Sequence, residues 1–174
     1  MNFTDLPSWF LKQTQNLSDE EKNIFLKNIS LQPTLHLVFN NKQKMKKYLK
    51  YGKKTSSFSI AVNKEYSFSD IPNYNKGDWW VQDFSSMLPL SLINIENIDQ
   101  IADVGSAPGG KLLQLLSKNK SSNISVFEKN MKKIAILNKN LERLNFNNKY
   151  KSSDFLDFNK KNFFDMIVID APCS

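Results

Sequence analysis

The side chains of this chain best suited to chemistry are one thiol and a series of carboxylates. The only cysteine, Cys173, lies in "IDAPCS" (169–174), just after an apolar run that ends at Asp170. A deprotonated cysteine is a nucleophile, whereas a lone cysteine is more often a small buried apolar residue. The preceding Asp-Ala-Pro favours the functional reading. Upstream, Asp103 opens "DVGSAPGGK" (103–111), in which Gly105, Gly109 and Gly110 let the backbone approach a ligand closely. Ser106, Ala107 and Pro108 fill the turn and Lys111 follows it. Glu128 comes about twenty residues after this loop, a spacing at which an acid accepts hydrogen bonds from ribose hydroxyls. Asp154 stands where a carboxylate can meet a nucleobase edge or an amine.

Such residues need a scaffold that gathers them. The runs "IDQIADV" (98–104), "NISVFE" (123–128) and "FFDMIVID" (163–170) read as strands, the last one buried, and "KYKSSD" (149–154) as a further candidate. "KLLQLLSK" (111–118) and "MKKIAILNKNLERLN" (131–145) read as helices, the second with Ile134, Leu137, Leu141 and Leu144 on one face. This alternation predicts an α/β fold with a parallel sheet of the Rossmann type, whose ligands sit beyond the carboxyl ends of the strands. Asp103, Glu128, Asp154 and Asp170 all fall at such ends. Any one of them is equally a solvated strand end; four of them beside a glycine-rich loop point to a site. The ligand they suit carries a ribose and a base but no pyrophosphate, because the loop is not G-x-G-x-x-G and Pro108 removes a backbone donor. S-adenosylmethionine fits better than NAD.

Residues 1–74 form a different texture and predict a small α+β module ahead of a main domain at 75–174. Two short helices open it, the second behind a capping box of Ser18 and Glu21 with Ile24, Phe25 and Ile29 at helical spacing. "LHLVFN" (35–40) and "SFSIAV" (57–62) read as strands, and "NKQKMKKYLKYGKK" (41–54) as a helix ending at Gly52. "DWWVQDFSSMLPLSLI" (78–93) starts extended and turns helical, with Trp79 and Trp80 expected in the core and His36 expected to be structural. The net charge of +7 suits a polyanion such as RNA, yet lysine and asparagine are abundant everywhere. The lysine-rich helix is therefore open between a solvated face and an RNA contact. No apolar run of about eighteen residues occurs and the N-terminus lacks a signal core, so a cytoplasmic setting without membrane is expected. One histidine and one cysteine offer no zinc cluster, so no metal is expected.

Four stretches, "DVGSAPGGK" (103–111), "VQDFSSMLP" (81–89), "NLERLN" (140–145) and "IDAPCS" (169–174), resemble successive signatures of the RNA cytosine-C5 methyltransferases. The closest resemblance is to the bacterial RsmB/Fmu/Sun group, which methylates small-subunit ribosomal RNA, and "LPSWFLKQ" (6–13) is similar to the segment opening its catalytic portion. The resemblance implies a Rossmann-like S-adenosylmethionine-dependent methyltransferase fold, incomplete at its C-terminus and preceded by an RNA-binding-type module. It places the methionine part of the cofactor on Gly105, Ser106, Ala107, Pro108, Gly109, Gly110 and Lys111, the ribose on Glu128 and the adenine on Asp154. Asp170 is then shared by the cofactor and target-base pockets. Cys173 matches the cysteine of a Pro-Cys motif that assists product release, while attack on cytosine C6 belongs to a later Thr-Cys-Ser motif. No such motif occurs in these residues, and Gly105, Ser106 and Leu112 replace the usual Cys, Ala and Thr. The expectation is a truncated or partial sequence that does not methylate RNA alone and exposes an unpaired sheet edge beside "MIVI", with poor solubility.

Two other functions compete. A non-catalytic RNA-binding module with a degenerate cofactor fold would suit the altered loop and the basic first half. A methyltransferase acting on an exocyclic amine would need an aromatic ring where "DAPCS" has a thiol.

Overall fold

The structure, a computed structural model, describes residues 2–31, 33–119 and 123–170. The chain divides into two compact units, residues 1–33 and residues 34–174.

The first unit holds a short 3-10 turn and two helices, α1 (Ser8–Gln13) and α2 (Asp19–Ile29). Ser18 starts α2 because its hydroxyl accepts the Glu21 N–H at 3.2 Å while the Glu21 carboxylate accepts the Ser18 N–H at 2.8 Å. Those bonds to Ser18 hold the Glu21 carboxyl below its usual range. Phe10 stacks on Phe25 at 5.0 Å, Phe3 meets Phe25 edge-on and Trp9 meets Phe10 edge-on, so four rings pack together in this unit.

The second unit begins with an antiparallel sheet. Its elements are β1 (His36–Val38), α3 (Lys42–Tyr48), β2 (Gly52–Lys54), β3 (Ser59–Val62) and β4 (Trp80–Val81), with strand order β2-β3-β1-β4. The helix is shorter than its lysine pattern suggests: a 3-10 turn closes with the Gly52 N–H on the Leu49 carbonyl, and Gly52–Lys54 then pairs with β3. Leu37, Phe39, Met45, Tyr48, Ile60 and Trp79 form this sheet's core. Within it, Tyr48 donates its hydroxyl to Asp78 at 2.8 Å, and burial pushes that hydroxyl up to about 12.

The parallel sheet follows, through α4 (Phe84–Leu92), β5 (Gln100–Val104), α5 (Gly110–Lys118), β6 (Asn123–Phe127), α6 (Met131–Arg143) and β7 (Met166–Ile169). Its order is β6-β5-β7, with Asp103 opposite Val126 on one side and Val168 on the other. The first strand is thus central and the crossover helices return the chain to either side of it, as the Rossmann expectation requires. Leu112 and Leu113 of α5 and Ile134, Leu137 and Leu141 of α6 are buried, each contributing about 2 kcal/mol of apolar burial. Val38 and Trp80 of the antiparallel sheet belong to the same core, so the two sheets share packing. Arg143, at the end of α6, reinforces the junction by donating to the Tyr74 carbonyl at 2.6 Å and the Trp79 carbonyl at 3.0 Å, with its guanidinium 3.8 Å from the Tyr74 ring centre.

Trp79 and Trp80 are buried, their indole N–H groups donating to the Pro72 carbonyl and the Gln82 side chain. His36 is half-buried, hydrogen-bonded to the Thr34 carbonyl and stacked on Phe84. Two sequence expectations are corrected. "KYKSSD" forms no strand; a single antiparallel bridge joins Ser153 to Glu128, because the Ser153 hydroxyl turns back to the Val126 carbonyl and Asp154 starts a 3-10 turn. The "MIVI" strand is not buried on both faces. Among the described residues β7 pairs on one side only, and Ile167 and Ile169 are 47 % and 65 % exposed while Met166 and Val168 pack inward. Among the described residues, no helix is long and apolar enough to cross a membrane.

Candidate functional site

The carboxyl ends of β5, β6 and β7 open into one concave pocket of about 600 Å³. Gly105 begins its floor. Its N–H donates to the Phe127 carbonyl at 2.8 Å, tying the β5 end to the β6 end. Its φ of +76° is a left-handed value, and a Cβ there would lie 2.5 Å from the Asp170 carbonyl oxygen. Only glycine satisfies both constraints. The loop continues through a cis Ala107–Pro108 bond, whose Pro108 carbonyl accepts from the Asn140 amide at 3.0 Å, to Gly109 at φ +114°. Gly109 is the N-cap of α5, and any Cβ on it would meet Leu137 at 2.6 Å. The loop is therefore clamped between α6 and the end of β7.

Beneath it lies Asp103, which is fully buried. Neither of its carboxylate oxygens has a hydrogen-bond donor among the described residues. Burial pushes this carboxyl up to about 6; nearby Asp170 adds to the rise, and Ser106 and Lys111 oppose it. The Ser106 hydroxyl is itself engaged by the Asp103 main-chain carbonyl, at 2.7 Å. Lys111 reaches forward from α5 instead, pairing with Asp170 at 2.7 Å and donating to the Ser86 hydroxyl of α4 at 3.1 Å. The ammonium is largely shielded and Asp170 is half exposed, so the cation faces a carboxylate on the pocket rim.

The far wall comes from β6 and the segment after α6. Glu128 accepts the Asn130 N–H at 2.9 Å. Asp154 pairs with Lys129 at 2.7 Å and accepts the Leu156 N–H at 3.0 Å, and that lysine, foremost, holds its carboxyl below the usual range. Phe127 and Phe155, the chain neighbours of these two acids, meet edge-to-face at 5.0 Å. Of the residues expected from the sequence, Gly105, Ala107, Glu128, Asp154 and Asp170 line one pocket. Ser106, Pro108, Gly109, Gly110 and Lys111 do not line it; they shape the loop or hold Asp170 from behind. Cys173 lies outside the described residues.

Sequence reasoning missed the apolar wall of Phe127, Phe155 and Ile169, and the basic rim of Lys129 and Lys133. Phe127 and Phe155 directly adjoin Glu128 and Asp154 in the chain, and that adjacency was the available signal. Chemically, the pocket suits a nucleoside: glycine backbone on one side, aromatic edges for a base, and strand-end acids for hydroxyls and amines. The close approach at Gly105 and the acids Glu128, Asp154 and Asp170 in the lining fit S-adenosylmethionine, a cation without pyrophosphate. Among the described residues, no cluster of three His, Cys, Asp or Glu that could hold a metal ion occurs.

The family described as "16S rRNA methyltransferase RsmB/F" matches residues 90–174. Ribosomal RNA small subunit methyltransferase B of Proteus mirabilis is 28 % identical over 97 % of this chain, which covers 43 % of that protein. A 26S rRNA (cytosine-C(5))-methyltransferase of Caenorhabditis elegans, nsun-1, is 33 % identical over 66 % of this chain and 18 % of its own length. The chain thus spans less than half the length of these curated relatives. Among solved structures, a methyltransferase homolog protein from Pyrococcus horikoshii superposes with a TM-score of 0.72 at 21 % identity, over 97 % of this chain and 64 % of that one. NSun6 from Pyrococcus horikoshii, solved with SFG, an S-adenosylmethionine analogue, gives 0.50 at 26 % identity, over 68 % and 33 %.

Proposed function

We propose that the chain belongs to the RNA (cytosine-C5) methyltransferase family, in its RsmB/F branch, and serves the methylation of cytosine C5 in RNA, with small-subunit ribosomal RNA as substrate. S-adenosylmethionine is the cofactor of this family, and when bound it supplies an electrophilic methyl group. The observation that carries the reading is the pocket in which a backbone-open Gly105 faces Glu128 and Asp170 at the ends of a parallel sheet and Asp154 at the start of a 3-10 turn.

In this proposal Gly105 and Ala107 meet the methionine part of the cofactor, on a loop whose shape Ser106, Pro108, Gly109, Gly110 and Lys111 maintain. Glu128 accepts from the ribose hydroxyls, and Asp154 faces the adenine with Phe127 and Phe155 against its ring. Lys111, paired to Asp170 and steadied by Ser86, holds that carboxylate in place at the border with the target-base pocket. Carbon 5 of cytosine becomes nucleophilic only after a thiolate adds to carbon 6, and a base must then remove the C5 proton so that the thiol leaves. Cys173 is assigned to that release. The attacking thiol requires a second cysteine, and these 174 residues hold one; RNA methylation by this chain alone is therefore expected to be absent. The functional division into an RNA-binding-type module at 1–74 and a catalytic portion at 75–174, in a cytoplasmic setting, completes the proposal.

Calorimetric titration of S-adenosylmethionine into the chain tests it. Saturable binding that Glu128→Ala weakens by tenfold or more supports the assignment; a flat titration with the folded chain removes it.

A further inference from the structure

We propose that the chain holds a second nucleotide-binding site, for a nucleotide of single-stranded RNA, in the cavity where the end of β1 meets α5 and the loop after α6. The inference rests on RNA being the substrate and adds where on this chain the RNA is held.

The cavity measures about 570 Å³, and its lining includes Asn40, Asn41, Asn145, Asn147 and Asn148 together with Lys44 and an apolar part that contains Phe146. It shares no residue with the cofactor pocket. Side-chain amides offer donors and an acceptor in one plane, the complement of a base edge or a ribose hydroxyl; the Asn41 oxygen is already taken by the Gln43 and Lys44 N–H groups, which leaves its NH2. Asn40 supplies a separate pointer: its Oδ1 is buried and has no donor among the described residues. Amide torsions are broad, so a small rotation presents that acceptor to a hydroxyl or amino group placed in the cavity.

Charge directs RNA to the same side of the fold. Residues 34–64, which build α3 and the first three strands of the antiparallel sheet, hold eight lysines and no carboxylate. The rest of the chain holds 16 cationic and 17 anionic side chains, so the whole net charge of +7 resides in this segment. A general drift toward lysine would have spread the excess. Met45 and Tyr48 are buried, which turns Lys46, Lys47 and Lys50 to solvent, and none of the three has an ion pair among the described residues. Lysines on the edge strand β2 also discourage sheet-to-sheet association; those on α3 have no such role. Unpaired lysines release counterions on meeting phosphates, and Asn41, the N-cap of α3, is on the cavity wall.

The test is fluorescence anisotropy with a labelled single-stranded RNA of mixed sequence, over a range of salt. Asn147→Ala is expected to weaken binding by about three- to tenfold, with the slope of log affinity against log salt unchanged because no charge is lost. Lys46→Gln/Lys47→Gln is expected to weaken binding and flatten that slope by about 1.4. The charge-matched Lys160→Gln/Lys161→Gln should change the slope by less than half as much. Asn40→Leu should raise the melting temperature, by removing an unpaired buried acceptor, yet weaken RNA binding, a split that a purely structural residue does not produce. Unchanged binding in both asparagine variants, equal effects of the two lysine pairs, or no RNA binding by the intact chain overturns the site. Calorimetry with S-adenosylmethionine on the same variants keeps the two readings apart: retained cofactor binding with unlocalised RNA binding sinks only this site, and localised RNA binding without cofactor binding sinks only the methyltransferase reading.

Discussion

The two sheets of the second unit are built from opposite charges. The parallel sheet ends in carboxylates, Asp103, Glu128 and Asp170, and of the cations there Lys111 is paired to Asp170 and Lys129 to Asp154, with Lys133 beside them on the rim. The antiparallel sheet and α3 carry lysines with no carboxylate of their own, and among the described residues only Lys44 of these is paired, to Asp78. A small cationic cofactor suits the first arrangement and a polyanion the second. One continuous core, from Val38 and Trp80 to Leu137 and Leu141, fixes the two regions to each other. The comparison teaches that net charge alone is a weak clue, whereas its distribution over the fold separates two binding tasks.

That separation can be broken by variants that strike one region only. The largest effect is expected from Gly105→Val. The added side chain would collide with the Asp170 carbonyl at a left-handed φ, costing about 3 kcal/mol or more and lowering cofactor affinity about a hundredfold, while the folded fraction still binds RNA. Thermal melts and paired titrations check this; loss of both ligands in equal measure by folded protein would break the comparison.

Next in size is Asp103→Asn. Its carboxyl is raised in the folded state, to about 6 from 3.8. An acid whose folded value is raised favours the folded state while protonated, so its contribution is complete below about pH 4 and is lost as pH climbs through about 6. The charged form therefore destabilises the fold at neutral pH by about 3 kcal/mol. Asp103→Asn should melt several degrees higher than the parent at pH 7.5 and match it near pH 4. An equal difference at both pH values would show that Asp103 is not the titrating group.

A smaller change is expected from Lys111→Met. Asp170 is half exposed and solvent screens it, so breaking this pair should cost about 1 kcal/mol or less of stability. The effect on cofactor affinity should be larger than that on melting, because an unpaired Asp170 is no longer held at the pocket rim. Equal small effects on both would make the pair a surface feature only.

Local patterns read well in the sequence where one interaction decides the outcome. The capping box at Ser18 and Glu21, the apolar face of α6 and the strand-loop-helix run through "DVGSAPGGK" all follow from spacing and side-chain type. Legibility ended where distant segments compete. "KYKSSD" has strand-like alternation, but Ser153 bonds the Val126 carbonyl and Asp154 caps its own turn, which no local rule weighs against pairing. "MIVI" reads as buried on both faces because four apolar residues in a row cannot report that Ile167 and Ile169 face outward on an edge strand. Likewise, nothing near Arg143 in the chain foretells its bonds to the Tyr74 and Trp79 carbonyls, which join α6 to the antiparallel sheet. In the site, the acids at strand ends were legible; the depth of Asp103 and the aromatic wall were not, since both arise only when β5, β6 and the turn after Asp154 converge.

The central claim is that the pocket at the ends of β5, β6 and β7 holds S-adenosylmethionine. Calorimetric titration of the intact chain and of its Gly105→Val variant, each verified as folded by circular dichroism, tests it most directly. Saturable binding to the parent, abolished in the variant, is the predicted result. No heat of binding with the folded parent, or undiminished binding with the folded variant, would contradict it.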